Sequence, residues 1–127
     1  SMLEEANEML EEIVKLSREI RVGCSKAIAS FHRMREMELP EEKVRKLLKI
    51  VENFPFSWAF AGGLITLALQ EFAEAACLKE IVEKGEIPKL EIPEHAYLLG
   101  LADCIGELKR YFLERVIEGN FEEAERI

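Results

Sequence analysis

A stripe of mostly apolar residues runs along the N-terminal part of the chain and repeats at alternating spacings of three and four positions. Its members are Leu10, Ile13, Ser17, Ile20, Cys24, Ala27, Phe31 and Met34. This spacing puts all of them on one face of an α-helix, so it predicts a long helix over residues 3–37 that packs lengthwise on another helix. The chain carries no alternating strand pattern. We therefore expect an all-α protein.

Proline, glycine and helix-capping residues divide the rest of the chain into further helices. Pro40 is followed by two acids, which is typical of a helix start because proline fits the first turn and acids favour its positive end. Ser57 is the expected N-cap of the third helix, and Gly119-Asn120 is the expected end of the fourth. The predicted ranges are 41–53, 57–84 and 94–118, with another helical pattern starting at Phe121.

The composition fits a single soluble domain. The chain has 127 residues, of which 49% are hydrophobic and 33% charged, enough to bury a core. Residues 85–93 hold two prolines and a glycine and are expected to form a loop. We predict an antiparallel bundle of long helices forming one domain over residues 3–127, with Ser1-Met2 as a remnant of expression. The abrupt end at Ile127 suggests that further helices are missing.

Cysteine usage and hydropathy bear on the compartment. Cys24, Cys77 and Cys104 lie far apart among apolar neighbours, which favours reduced core cysteines in a cytoplasmic protein over disulfides or a zinc site. Acids stand where a signal peptide would need basic residues. Residues 54–70 carry no charge, but the run is slightly shorter than the roughly 18–20 residues of a membrane span and lacks basic flanks. We interpret it as a helix surrounded by protein, either a central helix or one covered by neighbouring subunits, without a membrane partner.

Two pairs of acids interrupt the apolar helices. Glu71 and Glu74 are three residues apart, and Asp103 and Glu107 are four apart, so each pair shares a helix face. Gly100 lies close to the second pair and, with Gly106, would let another segment approach. Two such pairs suit Mg²⁺ or Mn²⁺, which prefer carboxylate oxygens. The alternative is that the acids only form ion pairs, for which Lys79, Lys109 and Arg110 are near in sequence.

Three blocks of sequence resemble one family. They are KLSREIRVGCSKAIASFHRM at residues 15–34, LALQEFAEAACL at residues 67–78, and YLLGLADCIGELKR at residues 97–110. In this order they resemble the translin family, and within it the translin-associated factor X (TRAX) subunits. The chain is shorter than that family's members, whose C-terminal helices it lacks, and its loop at 85–93 is compressed. The lack of a eukaryotic-style insertion fits a prokaryotic, archaeal stand-alone member that forms homo-oligomers.

The resemblance implies a function and a site. The family is all-α and forms octameric shells that bind single-stranded RNA or DNA, and TRAX-type subunits are Mg²⁺-dependent endoribonucleases. The family's catalytic, metal-binding acids carry over onto Glu71, Glu74, Asp103 and Glu107, with Mg²⁺ or Mn²⁺ as cofactor. Translin subunits lack the full set and bind without cutting. The resemblance thus implies an endoribonuclease for single-stranded RNA, with a non-catalytic single-stranded RNA- or DNA-binding protein as the alternative.

Basic residues concentrate in the first helix although the net charge is −8. Positive side chains facing the inside of a shell would attract phosphates without reading sequence. The alternative is a solvated face with intrahelical pairs. Trp58 and Phe60 could stack on bases, but we favour packing in a core or interface. The predicted RNA-binding residues are Arg18, Arg21, Lys26, His32 and Arg33.

Overall fold

The computed structural model describes residues 1–125, and these form four α-helices joined by short irregular segments. The helices are α1 (Met2–His32), α2 (Glu41–Asn53), α3 (Ser57–Lys84) and α4 (Glu94–Glu125). The all-α class predicted from the sequence is confirmed. The stripe on α1 is buried from Ile13 to Phe31, whereas Met34 at its predicted end is 71% exposed.

The first helix ends earlier than the predicted residue 37. Met34 adopts a left-handed backbone conformation with φ 60°. The amide of Met34 donates to the carbonyl of Phe31 at 2.9 Å, and the amide of Arg35 donates to that of Ser30 at 2.8 Å. This is a Schellman ending, which glycine usually forms. Because methionine occupies the position here, no local sequence signal marks the end of the helix. The chain then has no regular secondary structure up to Pro40.

The third helix is the centre of the fold. It packs against α1, α2 and α4. One 18-residue window of α3 reaches a mean hydropathy of 1.2, long and apolar enough for a membrane span, but 56% of the window is buried inside the protein. A core helix has the same composition, so the burial agrees with the interpretation as a central helix.

The predicted start of α3 at residue 57 is correct, but the N-cap role predicted for Ser57 and the predicted end of α4 are wrong. Ser57 is not an N-cap: Phe56 takes that position without a side-chain hydrogen bond, and the Ser57 hydroxyl is buried. The amide of Ser57 already donates to the carbonyl of Phe54, so the turn begins before Ser57. Gly119-Asn120 does not end α4, which continues to Glu125. Neither residue has the positive φ that a glycine or asparagine C-cap requires. Residues 126 and 127 of the predicted last helix lie outside the described residues.

The helix directions differ in part from the expected antiparallel bundle. Lys43 of α2 pairs with Glu19 of α1, and Pro40 lies beside Gly23, so these two helices are antiparallel. On α3 and α4, however, Thr66 contacts His95 and Gln70 contacts Asp103. The residue numbers of the contacting partners increase in the same direction on the two helices, so α3 and α4 run parallel.

The segment of residues 85–93 explains this arrangement. Nine extended residues span about 30 Å, which is enough to carry the chain back along most of α3. Its course is fixed by the Tyr97 hydroxyl, which donates to the carbonyl of Pro88 at 2.6 Å. The segment predicted as a loop therefore serves as a crossover between two parallel helices.

Gly100 marks the closest approach of α4 to α3. A Cβ atom built on Gly100 would lie 2.5 Å from the Cβ of Ala73, 2.5 Å from the carbonyl oxygen of Gln70 and 2.9 Å from the amide nitrogen of Glu74. Only a glycine allows the two backbones to come this close. The prediction that a segment approaches here is confirmed at Gly100. At Gly106 a Cβ would meet nothing within 4 Å.

The three cysteines line the core as predicted. Cys24, Cys77 and Cys104 are free thiols, each no more than 1% exposed. Burial, followed by the nearby charges of Glu71 and Glu74, raises the pKa of the Cys24 thiol to about 12. Cys24 therefore stays protonated at neutral pH although it lies beside these acids.

Candidate functional site

The four predicted acids come together where α3 and α4 cross at Gly100. Burial and, in decreasing order, the charges of Asp103, Glu107 and Glu71 together raise the pKa of Glu74 to about 7. Like charges shift a carboxylic acid this way only when they are close. The structure therefore gathers Glu71, Glu74, Asp103 and Glu107, which we call the acid cluster.

A small cavity gives access to the acid cluster. Its volume is about 260 Å³, and Glu71, Glu74 and Glu107 line one side. The opposite side is α1, which contributes Cys24 and Ser25. Asp103 is exposed and is not one of the residues that line this cavity. The first helix, which sequence reasoning assigned to RNA contact, thus also forms a wall of the acidic site.

Three of the four acids have a hydrogen-bonding partner on the protein. Arg21 of α1 donates through Nε to Oε2 of Glu71 at 3.2 Å. Gln70 of α3 donates through Nε2 to Oδ2 of Asp103 at 2.9 Å. Among the described residues, Glu74 alone of the four forms no hydrogen bond or ion pair. Its carboxylate is therefore the one in the acid cluster that no described protein group engages.

The third partner is His32, at the last position of α1. Its Nε2 lies 2.6 Å from Oε2 of Glu107, to which it donates, and its Nδ1 lies 3.9 Å from Glu114. The histidine side chain is 15% exposed. His32 was predicted to contact RNA. The structure instead directs it toward a member of the acid cluster.

Two of the three basic residues suggested as alternative partners of the acids, Lys79 and Arg110, bind elsewhere. Lys79 donates to the carbonyl of Met37 at 3.0 Å and so holds the segment after α1 against α3. Arg110 pairs with Glu114 at 3.1 Å, on the same helix. Three of the four acids are therefore paired, but across helices and with residues far away in the sequence.

The chemistry of the acid cluster suits a hard divalent cation, since carboxylate oxygens are the preferred ligands of Mg²⁺ and Mn²⁺. The uncompensated repulsion at Glu74 shows a local deficit of positive charge. The geometry is not that of a ready-made site: in the described part of the chain, no three His, Cys, Asp or Glu side chains are grouped closely enough to hold a metal ion.

A groove of about 500 Å³ adjoins the cavity. Its polar lining comes from Ser17, Arg18, Arg21, Ser25 and Lys26 of α1 and from Glu71 of α3. We call it the basic groove. Ser25 and Glu71 line both the groove and the acid cavity, so the two are continuous. Of the predicted RNA-binding residues, three lie in this groove, whereas Arg33 is the exposed C-cap of α1 and His32 lies with the acids.

The aromatic residues near the start of α3 have separate surroundings. Trp58 packs partly buried against the core, as favoured from the sequence. Phe60 is 72% exposed and contacts the ring of Phe56. Exposed apolar side chains continue along α4 at Leu98, Leu99, Ile105, Phe112, Leu113, Val116 and Ile117. Monomers rarely expose so many large apolar groups, so this surface is suited to association with protein.

Sequence reasoning missed the partners of the acids. Gln70 directly precedes Glu71 in the second sequence block, which was its only signal. Arg21 was assigned to RNA, and its pairing with Glu71 joins residues 50 positions apart. Such pairing depends on which faces of α1 and α3 meet, and no local pattern contains that information.

The chain resembles known proteins over most of its length. A family model described as the translin family matches residues 45–127. An uncharacterized protein of Methanocaldococcus jannaschii is 35% identical over 122 residues, covering 91% of this chain but 55% of that protein. The chain thus spans about half the length of this relative.

Solved structures with the same fold are C3PO proteins. The crystal structure of AfC3PO has 34% sequence identity and a TM-score of 0.69, with 98% of this chain and 68% of that one covered. Apo-NeC3PO has 22% identity and a TM-score of 0.78, covering 98% and 70%, and at that identity supports the fold alone. AfC3PO also has a structure in complex with duplex RNA, with a TM-score of 0.67.

Proposed function

The chain belongs to the translin family, and from that premise we propose that it is a TRAX-like, metal-dependent endoribonuclease acting on single-stranded RNA. The observation that carries the proposal is the convergence of Glu71, Glu74, Asp103 and Glu107 at the Gly100 crossing. Burial and mutual repulsion there raise the pKa of Glu74 to about 7. Structural ion pairs alone would leave no reason for a fourth, unpaired acid among them.

The acid cluster would hold Mg²⁺ or Mn²⁺ through its carboxylate oxygens. Such an ion stabilises charge on a phosphoryl group and lowers the pKa of water. Glu74 is half-buried and without a partner in the described residues, so it is the acid best placed to accept a proton from attacking water. Gln70 and His32 orient Asp103 and Glu107 by hydrogen bonds at 2.9 and 2.6 Å.

The basic groove would hold the RNA backbone. Arg18, Arg21 and Lys26 present positive charge along one helix, which attracts phosphates independently of sequence. A strand lying in the groove would pass the acid cavity, because the two share Ser25 and Glu71. The duplex RNA complex of AfC3PO supports RNA as the ligand class.

The exposed apolar surface of α4 supports assembly into a homo-oligomer, with the octamer as the expected form. A polar rim and several large apolar side chains are typical of subunit interfaces. Light scattering of the chain in solution should give the mass of an oligomer. A monomer at micromolar concentration would exclude the shell.

Isosteric substitutions test the catalytic proposal. Glu71→Gln and Asp103→Asn should each lower cleavage of labelled single-stranded RNA by more than about a hundredfold, since ligand loss exceeds the effect of losing a ligand's support. RNA affinity should remain. Glu80→Gln is the matched control, because Glu80 lies on α3 but pairs with Lys84 at 3.4 Å. Full cleavage by both cluster variants would exclude these acids as catalytic.

Single-stranded and duplex RNA should be compared, each with Mg²⁺, Mn²⁺ or EDTA.

The second candidate is a single-stranded RNA- or DNA-binding protein without catalysis. It is favoured by the protein partners of Glu71, Asp103 and Glu107 and by the lack of a ready-made metal group among the described residues. Binding of RNA without any product in Mg²⁺ or Mn²⁺ would select this candidate. Metal-dependent product would reject it.

A further inference from the structure

Arg21 stands at the boundary between the basic groove and the acid cluster. Its side chain is 44% exposed and lines the groove, while its Nε donates to Glu71 at 3.2 Å. A guanidinium group has five N–H donors, and within the described residues only Nε is engaged. The two Nη groups are therefore available to another anion.

Arg21 competes with a metal ion for the carboxylate of Glu71. A divalent cation bound by Glu71 would lie within a few ångströms of the positive guanidinium group, and the two charges repel. The same guanidinium group is attracted by a phosphate in the groove, with which arginine forms forked hydrogen bonds. RNA and metal thus make opposite demands on Arg21, and the demands are compatible only if it changes partner.

We propose that Arg21 exchanges Glu71 for a phosphate of bound RNA and thereby couples RNA binding to metal binding at the acid cluster. This inference rests on the proposed function, since it takes RNA and a divalent cation as the two ligands. Arg21 is then a positioning residue: it holds Glu71 when RNA is absent and releases it when RNA arrives. The protein would bind its metal ion most tightly when substrate is present.

The other two partners of the acids are less suited to this exchange. Gln70 carries no charge, so it neither repels a cation nor is drawn to a phosphate. His32 is 15% exposed and lies away from the basic groove. Glu71 itself is 26% exposed, so its pair with Arg21 is partly solvated. Solvated ion pairs contribute little to stability and exchange easily.

The size of the coupling follows from this weak pair. A partly exposed ion pair corresponds to roughly a two- to fivefold change in an equilibrium constant. Single-stranded RNA should therefore tighten the binding of Mn²⁺ by at least about this factor. Linkage requires that Mn²⁺ tighten RNA binding equally.

The test compares Arg21→Gln with Arg18→Gln. Arg18 lines the same groove one helical turn away but forms no ion pair in the described part of the chain. The probe is a 2′-O-methyl phosphorothioate single-stranded oligonucleotide, chosen to resist cleavage. Mn²⁺ affinity is measured by electron paramagnetic resonance with and without oligonucleotide, and oligonucleotide affinity by fluorescence anisotropy with and without Mn²⁺. Signal from Mn²⁺ on oligonucleotide alone is subtracted.

The two variants should differ in their affinity for Mn²⁺, in their affinity for the oligonucleotide and in the coupling between the two ligands. Arg21→Gln should bind Mn²⁺ alone roughly two- to fivefold more tightly than the unchanged protein and lose most of the coupling. Arg18→Gln should bind the oligonucleotide more weakly, with Mn²⁺ affinity and coupling kept. Equal coupling in the two variants would overturn the inference, because the coupling would then come from direct contact between metal and phosphate.

Failure of the proposed function gives a different result. If the unchanged protein binds no Mn²⁺ with or without oligonucleotide, the metal-dependent function and this inference both fail. If coupling is lost only in Arg21→Gln but native RNA is never cleaved, the inference stands and the nuclease activity is rejected. Melting temperatures of both variants should match the unchanged protein, since both side chains are exposed.

Discussion

The acid cluster and the basic groove share Glu71 but differ in how the fold builds them. The acids come from α3 and α4 and are held by partners on α1 and α3, at a crossing with no room for a single Cβ at Gly100. The basic side chains of the groove come from α1 alone and point into solvent. The first region depends on tertiary packing, and the second mainly on helix periodicity.

This difference predicts how each region responds to change. A small displacement of two packed helices moves several acids at once, and misplacement by about 1 Å can lower a rate a hundredfold. Loss of one charge from a solvated helix face only removes one phosphate contact among several. Substitutions near the acid cluster should therefore have large, cooperative effects, and those in the groove small and additive ones.

The largest effect is expected from Gly100→Ala. The added methyl group would lie 2.5 Å from both Ala73 and the Gln70 carbonyl, so α4 must move away from α3. We expect cleavage to fall by at least about a hundredfold and stability by about 1–3 kcal/mol, as for other overpacked cores. Cleavage assays and urea denaturation measure the two effects.

Gly106→Ala is the matched control on the same helix. Its Cβ would meet nothing within 4 Å, and alanine favours a helix over glycine by about 0.8–1 kcal/mol. This variant should be slightly more stable and fully active. Unchanged cleavage by Gly100→Ala would mean that the acids do not depend on the close crossing, and the contrast between the two regions would disappear.

A smaller effect on the cleavage rate, about tenfold, is expected from substitution of His32. The 2.6 Å contact with Glu107 makes it a support of the acid cluster, although the sequence placed it with the RNA contacts. His32→Ala should lower the cleavage rate about tenfold, as for the loss of an orienting partner, without changing RNA affinity. His32→Gln keeps an N–H donor at a similar reach and should restore most of the rate.

The opposite pattern would reassign His32 to the groove. A residue that contacts phosphate should weaken RNA binding in both variants, with the cleavage rate at saturating RNA unchanged. Measuring the rate and the affinity separately therefore decides which region His32 belongs to.

The helices were largely predictable because their signals are local. Pro40 with the two acids after it marks the start of α2, and Gly85 ends α3 with the positive φ of 69° that glycine permits. The prediction was wrong where local signals mislead: Met34 ends α1 in a conformation typical of glycine, and Gly119 does not end α4. The parallel course of α3 and α4 depends on the path of residues 85–93, which composition does not specify.

The candidate site was predictable only in part. Acid pairs on one helix face follow from spacing, so Glu71 with Glu74 and Asp103 with Glu107 were identified from the sequence. Their partners were not, because Arg21 and His32 reach them across 50 and 75 positions of the chain. Whether these acids hold a metal ion stays a prediction, and so do the RNA contacts of Arg18, Lys26 and Arg33.

The smallest effect is the contribution of Glu74 to the pH dependence of the free energy of unfolding. Its pKa is raised from 4.5 to about 7, so between these pH values the folded protein keeps a proton that the unfolded chain has released. Stability of the metal-free protein should therefore fall as the pH rises through this window. Because Glu74 is half-buried and water screens its charge, the loss should be about 1 kcal/mol. Glu74→Gln has no such proton, so its stability should change less between pH 4.5 and 7.

Urea denaturation in EDTA across this pH range measures the difference in slope. Arg18→Gln in the groove should keep the slope of the unchanged protein, because a guanidinium group stays charged throughout. Equal slopes for Glu74→Gln and the unchanged protein would mean that neither burial nor the neighbouring acids raise the pKa of Glu74. If the slopes do differ, saturating Mg²⁺ should reduce the difference, since a bound cation supplies the positive charge that the acid cluster lacks.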